Sequence, residues 1–387
     1  MLPSGGTAII PALIDRLTRG PSNRARRAAA VELSMDAGLQ DVARRWASAV
    51  LDDTPPAEAQ TYLVSIARGA DARDLPRLAS WAYERLLARG DSLADAPALH
   101  VRAAELALAL GDTTAAERHY AAVEAAFGPG TPQRRRAGAV RVRLMADRGE
   151  ADAAADALTT FRKEYPQAAE VDRLAAVVGE AYLRRGKTDD ARRIIAGMEG
   201  PRCALLRGRL ALGVGRADSA RQAFTAAAAG LHGAEATAVL ELTNLLAGLS
   251  TPAATHVAAA LGAGALQPDT DLVRRLDEAA RTVPQADRAA VLDYAASVAD
   301  ELDPASAARF RRAIVDDYPT SPQAASALLG LARGLAAQPD SVGPARELLE
   351  RLILKYPESA LVPEARRRLS RLKGEVPPDT ASGAIRP

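Results

Sequence analysis

The stretch VDRLAAVVGEAYLRRGKTDDARRIIAGMEGPRCALLRGRLALGVGRADSARQAFTAAAAG, residues 171–230, contains two near-copies of one unit back to back. In each copy a small residue lies midway along a first apolar segment, a glycine ends that segment, and an alanine follows the glycine. These positions are Gly179, Gly186 and Ala191 in the first copy, and Gly208, Gly215 and Ala220 in the second. Small residues let two helices approach closely, and glycine ends a helix in the left-handed conformation without a Cβ penalty. The stretch therefore predicts repeated pairs of antiparallel helices.

This unit resembles the tetratricopeptide repeat, which has a period of about 34 residues with small, glycine and alanine residues at fixed positions. Neighbouring units continue the pattern, with Gly111 before Ala116 and Gly149 before Ala154. Asp112 is predicted to provide a polar start to the helix that follows it. The resemblance implies an all-α fold, a right-handed superhelical solenoid of antiparallel helix pairs with a concave groove.

Two later segments, RFRRAIVDDYP (309–319) and LLERLILKYP (348–357), repeat one another. They are similar to the tetratricopeptide repeats of bacterial envelope proteins, including the lipoprotein of the barrel-assembly machinery and the cell-division coordinator of the Tol-Pal system. The lipobox cysteine of such lipoproteins has no counterpart here, so the resemblance does not extend to membrane anchoring. After the first segment, Ser321 and Pro322 predict a helix N-cap and first turn. In the stretch 171–230, the helix after Thr188 is predicted to end at Met198, before Gly200–Pro201.

The quality of the repeat divides the chain into five predicted segments. We expect an N-terminal helical region with weak repeats (1–96, opening with a helix over 7–19), well-registered repeats (97–232) and an irregular helical segment (233–284). C-terminal repeats (285–373) and a disordered tail (374–387) follow. Within the irregular segment, Ser250–Pro252 should break the apolar run 242–268 into two buried helices rather than one membrane span.

Composition excludes several classes of function. A net charge of +2 with 25% charged residues provides no basic field for nucleic acid. The short basic runs Arg134–Arg136 and Arg366–Arg368 are predicted to be solvated helix faces, because nucleic-acid binding would need a longer basic stripe with aromatic residues. Cys203 is the sole cysteine, so an intramolecular disulfide and thiolate metal ligation are excluded, and we expect it to be buried. The four histidines, His100, His119, His232 and His256, are scattered without metal-ligand spacing. Gly262-Ala-Gly264 lacks the third glycine of a dinucleotide loop. We therefore expect no cofactor, no metal site and no enzymatic activity.

The candidate ligand-binding residues follow from the resemblance, because certain positions of the first helix of each repeat line the groove in this family. These positions are occupied by Arg136, Arg143, Arg173, Glu180, Arg184, Arg202 and Arg209, with Glu105 and Asp147 in the same set. Arginine forks bind carboxylates in bidentate fashion, so the excess of arginine predicts an acidic or C-terminal peptide as ligand. The alternative is that these arginines pair with nearby acids and merely solvate a helix face. The lysine and asparagine of the family's carboxylate clamp are missing at the matching positions.

The sequence thus predicts a non-enzymatic scaffold that binds a protein or peptide segment in the concave groove. One alternative is a structural or assembly component of the bacterial cell envelope in the periplasm, and another is a solenoid that regulates an enzyme in trans. The opening residues MLPSGGTAIIPALIDRL have no basic region or apolar core of a signal peptide, which predicts a cytoplasmic protein as written. A start further upstream would favour the periplasm.

Overall fold

The computed structural model describes residues 16, 24–90, 95–262, 269–337 and 341–374. Within these ranges the chain forms α-helices joined by short turns and contains no β-strand. The prediction of an all-α array of antiparallel helix pairs is confirmed. The helix predicted over 7–19 (apart from Arg16), most of the tail predicted as disordered, and Ala263 and Gly264 lie outside the described residues.

Contacts between residues divide the chain into two compact units, residues 1–194 and 195–387. The five segments predicted from repeat register follow a different criterion and stay a prediction. The described helices of the first unit are α1 Arg24–Asp36, α2 Gln40–Asp52, α3 Pro56–Ala72, α4 Pro76–Leu87, α5 Ala96–Ala109, α6 Thr113–Ala126, α7 Pro132–Asp147, α8 Ala151–Glu164, α9 Glu170–Arg184 and α10 Thr188–Ile194. They pack as the successive pairs α1/α2, α3/α4, α5/α6, α7/α8 and α9/α10.

The described helices of the second unit are α11 Pro201–Leu212, α12 Ala217–Ala228, α13 Gly233–Gly248, α14 Thr251–Leu261, α15 Thr270–Thr282, α16 Gln285–Leu302, α17 Pro304–Asp317, α18 Ala324–Ala336, α19 Val342–Lys355 and α20 Val362–Leu372. The pairs α11/α12, α16/α17 and α18/α19 pack extensively, whereas α13 and α14 touch less. The predicted break near Ser250–Pro252 is confirmed, because α13 ends at Gly248 and α14 begins at Thr251. No described helix is both long and apolar enough to cross a membrane.

The turns between paired helices are set by glycine. Gly186 and Gly215 have φ angles of 71° and 69°, in the left-handed region. The next residue in each turn, Lys187 or Arg216, donates its backbone N–H to a carbonyl in the last turn of the helix, at 3.0 and 2.9 Å. This arrangement is a Schellman motif, which satisfies carbonyl groups at the helix end. The predicted glycine turns therefore have the expected geometry.

Small residues and a few large ones fill the space between helices. The core of the second unit includes Ala220, Phe224 and Phe310, none more than 1% exposed. Cys203 is fully buried, as predicted. Alanine at the contact positions lets the helices lie close enough to bury these rings without large cavities.

Two predicted helix ends are wrong. The helix after Thr188 ends at Ile194 rather than Met198, because a turn follows with Gly197 at a φ of 71°. The helix near Ser321 begins at Ala324, and Ser321 lies in a turn where its N–H bonds to the carbonyl of Tyr318. Backbone hydrogen bonds within this turn are therefore found where the sequence predicted an N-cap by the serine side chain.

Candidate functional site

Four of the predicted arginines lie on two neighbouring helices of the first unit. Arg136 and Arg143 are on α7, Arg173 and Arg184 are on α9, and all four are exposed. Helix α9 packs directly on α7, so the two helices present adjoining surfaces. We call the surface formed by these four arginines the basic face.

The charges of the basic face are only partly neutralised. Arg136 and Arg173 form no hydrogen bond or ion pair with another described residue. Arg143 lies 4.0 Å from Asp147, at the limit of an ion pair, and both side chains are more than half exposed. Arg184 donates to the backbone carbonyl of Ala146 at 2.9 Å. Exposed ion pairs contribute about 0–1 kcal/mol, so this face retains the capacity to bind an anionic ligand.

The other predicted residues have different surroundings. Glu180 is half-buried on α9, and Glu105 pairs with Arg102 at 3.1 Å on α5. In the second unit, Arg202 pairs with Glu235 at 2.6 Å. Arg209 is only 8% exposed, because α11 is buried over most of its circumference. Arg209 is therefore not presented for a ligand, and charge reversal there would test folding rather than binding.

The sequence predicted that the basic run Arg134–Arg136 is a solvated helix face, but the structure shows that this run is not uniformly solvated. Arg134 Nε donates to Glu164 Oε1 at 2.9 Å, and both side chains are less than one quarter exposed. Arg134 Nη1 also donates to the carbonyl of Glu124 at 2.7 Å, and the N–H of Gly130 bonds to Glu164 at 3.3 Å. These bonds tie the loop 127–131 to helices α6, α7 and α8.

A cleft of about 570 Å³ opens between α5, α6 and α7 in the first unit. We call it the α5–α7 cleft. Whereas α9 packs directly on α7, α5 and α7 make little direct contact with one another. Most of the described lining is apolar and the rest is polar or charged: Pro97, Ala98, Val101, Val123, Phe127 and Ala137, with Asp95, Tyr120, Gln133 and Arg136. The repeat pattern did not predict this cleft; the glycine-rich loop FGPG, residues 127–130, is the sequence signal that could have indicated it.

Tyr120 is the most buried polar residue among the described lining, at 7% exposed. Its hydroxyl has no hydrogen bond to another described residue, yet it is not sealed from solvent. Burial raises the pKa of Tyr120, the charge of Glu105 adds to this effect, and Arg136 and Arg143 oppose it. The phenol is therefore a protonated donor next to an arginine, inside a mostly apolar cleft.

Two of the scattered histidines come together in the same unit. Nδ1 of His100 on α5 lies 3.0 Å from Nδ1 of His119 on α6, and His119 Nε2 lies 2.9 Å from Oε1 of Glu84 on α4. His119 is only 3% exposed. Sequence spacing did not show this contact, because it arises from the antiparallel packing of α5 on α6. Among the described residues, no group of three or more His, Cys, Asp or Glu side chains is arranged to hold a metal ion.

Comparison with known proteins concerns the fold. No family model matches the chain, and no curated protein matches its sequence. A tetratricopeptide repeat protein from Parabacteroides merdae is similar in structure over 62% of this chain and 91% of its own, with 18% identity and a TM-score of 0.29. The structure of Naa15/Naa10 bound to HypK-THB is similar over 98% of this chain and 67% of its own, with 14% identity and a TM-score of 0.40.

Proposed function

We propose that this protein is a non-enzymatic scaffold whose basic face binds an acidic segment of a partner protein. The observation that carries the proposal is the pair of adjoining helices α7 and α9, on which Arg136 and Arg173 are exposed and form no ion pair with another described residue. Guanidinium groups bind carboxylates with directional, charge-assisted hydrogen bonds.

The packing of α7 on α9 supports an extended ligand. Arg143 lies two helical turns after Arg136 on α7, and Arg173 adds a cation on the adjoining helix. A folded scaffold that holds these side chains on packed helices loses little backbone entropy when it binds, so several modest ion pairs can add up to a measurable affinity.

The test uses a fluorescein-labelled peptide of alternating glutamate and serine, with the matching glutamine–serine peptide as the uncharged probe. Fluorescence anisotropy with the full chain should show binding of the glutamate peptide that weakens as salt is added. The double variant Arg143→Glu/Arg173→Glu should weaken this binding at least about tenfold, because it replaces two attractive contacts with repulsive ones.

Arg162→Glu is the matched control. Arg162 is exposed on α8 and, like Arg173, forms no hydrogen bond or ion pair with another described residue. The proposal requires that Arg162→Glu leaves binding nearly unchanged. Arg162→Glu changes the net charge by half as much as the double variant, so a loss of half the binding free energy lost in the double variant would attribute the effect to net charge alone. Equal affinity for the glutamine peptide would show that the protein does not select an acidic segment.

A further inference from the structure

The α5–α7 cleft carries an inference beyond protein binding by the basic face. It has a volume of about 570 Å³, and its described lining is mostly apolar but includes the buried Tyr120 and the exposed Arg136. Sites for small molecules in proteins are concave, have volumes of roughly 300–1,000 Å³, and combine apolar walls with a few polar groups that orient the ligand. We infer that this cleft binds a small carboxylic acid with an aromatic or branched aliphatic body.

The apolar part of the ligand would lie against Val101 of α5, Val123 of α6 and Ala137 of α7. Val123 and Ala137 are each 2% exposed, so these two walls belong to the packed core and are rigid. Phe127 forms a further wall. Its carbonyl accepts a hydrogen bond from Arg134 Nη1 at 3.4 Å, and the N–H of Gly130 donates to Glu164 at 3.3 Å, which holds the loop that carries the ring. The cleft is therefore built before a ligand arrives, which lowers the entropic cost of binding.

Two groups favour a carboxylate at the polar end. The Tyr120 side chain is more than nine-tenths buried and lines the cleft, and its hydroxyl has no hydrogen-bond partner among the described residues. The hydroxyl is not sealed from solvent, so a ligand oxygen would replace water as its hydrogen-bond acceptor. Arg136 lines the same cleft and forms no ion pair with another described residue. A carboxylate can accept from both donors at once.

Asp95 also lines the cleft, at the start of α5, where it is exposed and makes no capping hydrogen bond. Its negative charge would repel a second anionic group, so it favours a monocarboxylate over a dicarboxylate. Substitution of Asp95 can also serve as a control, because Asp95 lines the same cleft as Arg136 and carries the opposite charge.

The experiment compares three probes with one phenyl ring and a different polar end: 3-phenylpropionate, 3-phenylpropanol and 2-phenylethylamine. Each is titrated into the full chain and followed by saturation-transfer difference NMR. We expect saturable binding of 3-phenylpropionate with a Kd in the millimolar range or below. The alcohol should bind about tenfold more weakly because it lacks the charge, and the amine should not bind.

Three variants then separate the roles of the lining residues. Arg136→Gln should weaken binding of 3-phenylpropionate about tenfold, and Tyr120→Phe, which keeps the ring in the core, should weaken it about fivefold. Asp95→Asn should leave the affinity unchanged or raise it. Circular dichroism confirms that each variant is folded. Failure of 3-phenylpropionate to bind saturably, equal binding of the amine, or unchanged binding in both Arg136→Gln and Tyr120→Phe would overturn the inference. None of these outcomes depends on the glutamate–serine peptide, whose test uses other variants.

Discussion

The ring of Phe224 lies so close to the backbone of Gly208 that a Cβ atom at position 208 would be 2.6 Å from Cδ1 and 2.9 Å from Cζ of that ring. Phe224 is fully buried, so the ring has no free space into which it could move. Gly208 is the small residue predicted at the middle of the first helix of its repeat. The contact shows why the residue at that position must be small, since the backbone of α11 packs directly against a ring of α12.

Substituting Gly208→Ala should therefore lower the free energy of unfolding by about 1–3 kcal/mol, the usual cost of forcing extra volume into a packed core. Gly334→Ala is the matched control, because Gly334 lies in α18 and a Cβ atom added there would have no neighbouring atom within 4 Å. That substitution should raise the free energy of unfolding by up to about 1 kcal/mol through helix propensity. Urea denaturation followed by circular dichroism measures both; a stabilised Gly208→Ala protein would contradict the packing argument.

The His100–His119 pair should make the first unit less stable in mild acid. One hydrogen can lie between the two Nδ1 atoms, 3.0 Å apart, whereas a second proton would place two N–H groups face to face. Burial lowers the pKa of His100, and His119 and Arg118 lower it further, while Glu84 opposes them. The unfolded chain keeps an ordinary histidine pKa of about 6.5, so as pH falls it binds the proton before the folded chain does. The folded state therefore loses stability as pH falls below about 6.5.

The urea midpoint should accordingly fall between about pH 7.5 and pH 5.5, a window that spans the ordinary histidine pKa. His100→Asn should reduce this fall, since asparagine can donate to His119 but does not titrate. His256→Asn, at an exposed position of α14, should leave the fall as in the parent protein. An identical pH dependence in the parent and His100→Asn proteins would show that the pair does not govern it.

Asp287 on α16 forms hydrogen bonds with the residue that precedes α14. Its carboxylate is only 7% exposed and accepts hydrogen bonds from the backbone N–H of Ser250 at 3.1 Å and from the Ser250 hydroxyl at 2.5 Å. Asp287→Ala should cost about 2–4 kcal/mol, because it leaves the N–H without its acceptor and removes a bond to a charged group. Ser250→Ala removes only the hydroxyl bond and should cost about 1–2 kcal/mol. Thermal unfolding of the two variants ranks them, and the reverse order would contradict this account.

Buried tyrosines should resist ionisation in alkali. Burial raises the pKa of Tyr83, Tyr182 and Tyr294 to about 12 each. Tyr83 also donates a hydrogen bond to Asp71 at 2.7 Å, which holds the proton on the phenol. The fold favours the neutral phenol, so this stabilisation is complete below the ordinary tyrosine pKa of about 10 and is lost as pH rises above it.

Phenolate absorbance measured during an alkaline titration should therefore show a group of tyrosines that ionise late. Tyr83→Phe should remove one tyrosine from that late group. The same titration in concentrated urea should show all tyrosines ionising near pH 10, as in exposed model compounds. If Tyr83→Phe instead removes a tyrosine from the early group, the assigned role of the Asp71 bond is wrong.

Local signals in the sequence were sufficient for the helix-pair architecture. Gly186 and Gly215 take the left-handed φ angles that the pattern required, and the Asp112 side chain accepts a hydrogen bond from the N–H of Ala115 at 2.9 Å, as an N-cap should. These features depend on a few neighbouring residues. They can be predicted because the conformations of a turn and a cap are decided within one helical turn of the chain.

Features that depend on a partner elsewhere in the chain were not predictable in this way. Ser321 was expected to cap a helix but lies in a backbone turn, and Arg134 was expected on a solvated face but pairs with Glu164 on the next helix. Arg209 occupies a position assigned to the groove and is buried. The position of a residue in the repeat predicts the direction in which its side chain leaves the helix. The packing of neighbouring helices determines whether that side chain is buried or exposed to solvent.

The sequence by itself therefore determined the helix pairs, their glycine turns and the small residues at their contacts, because a repeated pattern of side-chain size acts through local geometry. Only the tertiary structure decided three features: α9 packs beside α7, so that their arginines lie on adjoining helices; a cleft lined by Tyr120 opens between α5, α6 and α7; and His100 contacts His119. These features follow from the distances between helices, which result from the packing of many side chains together.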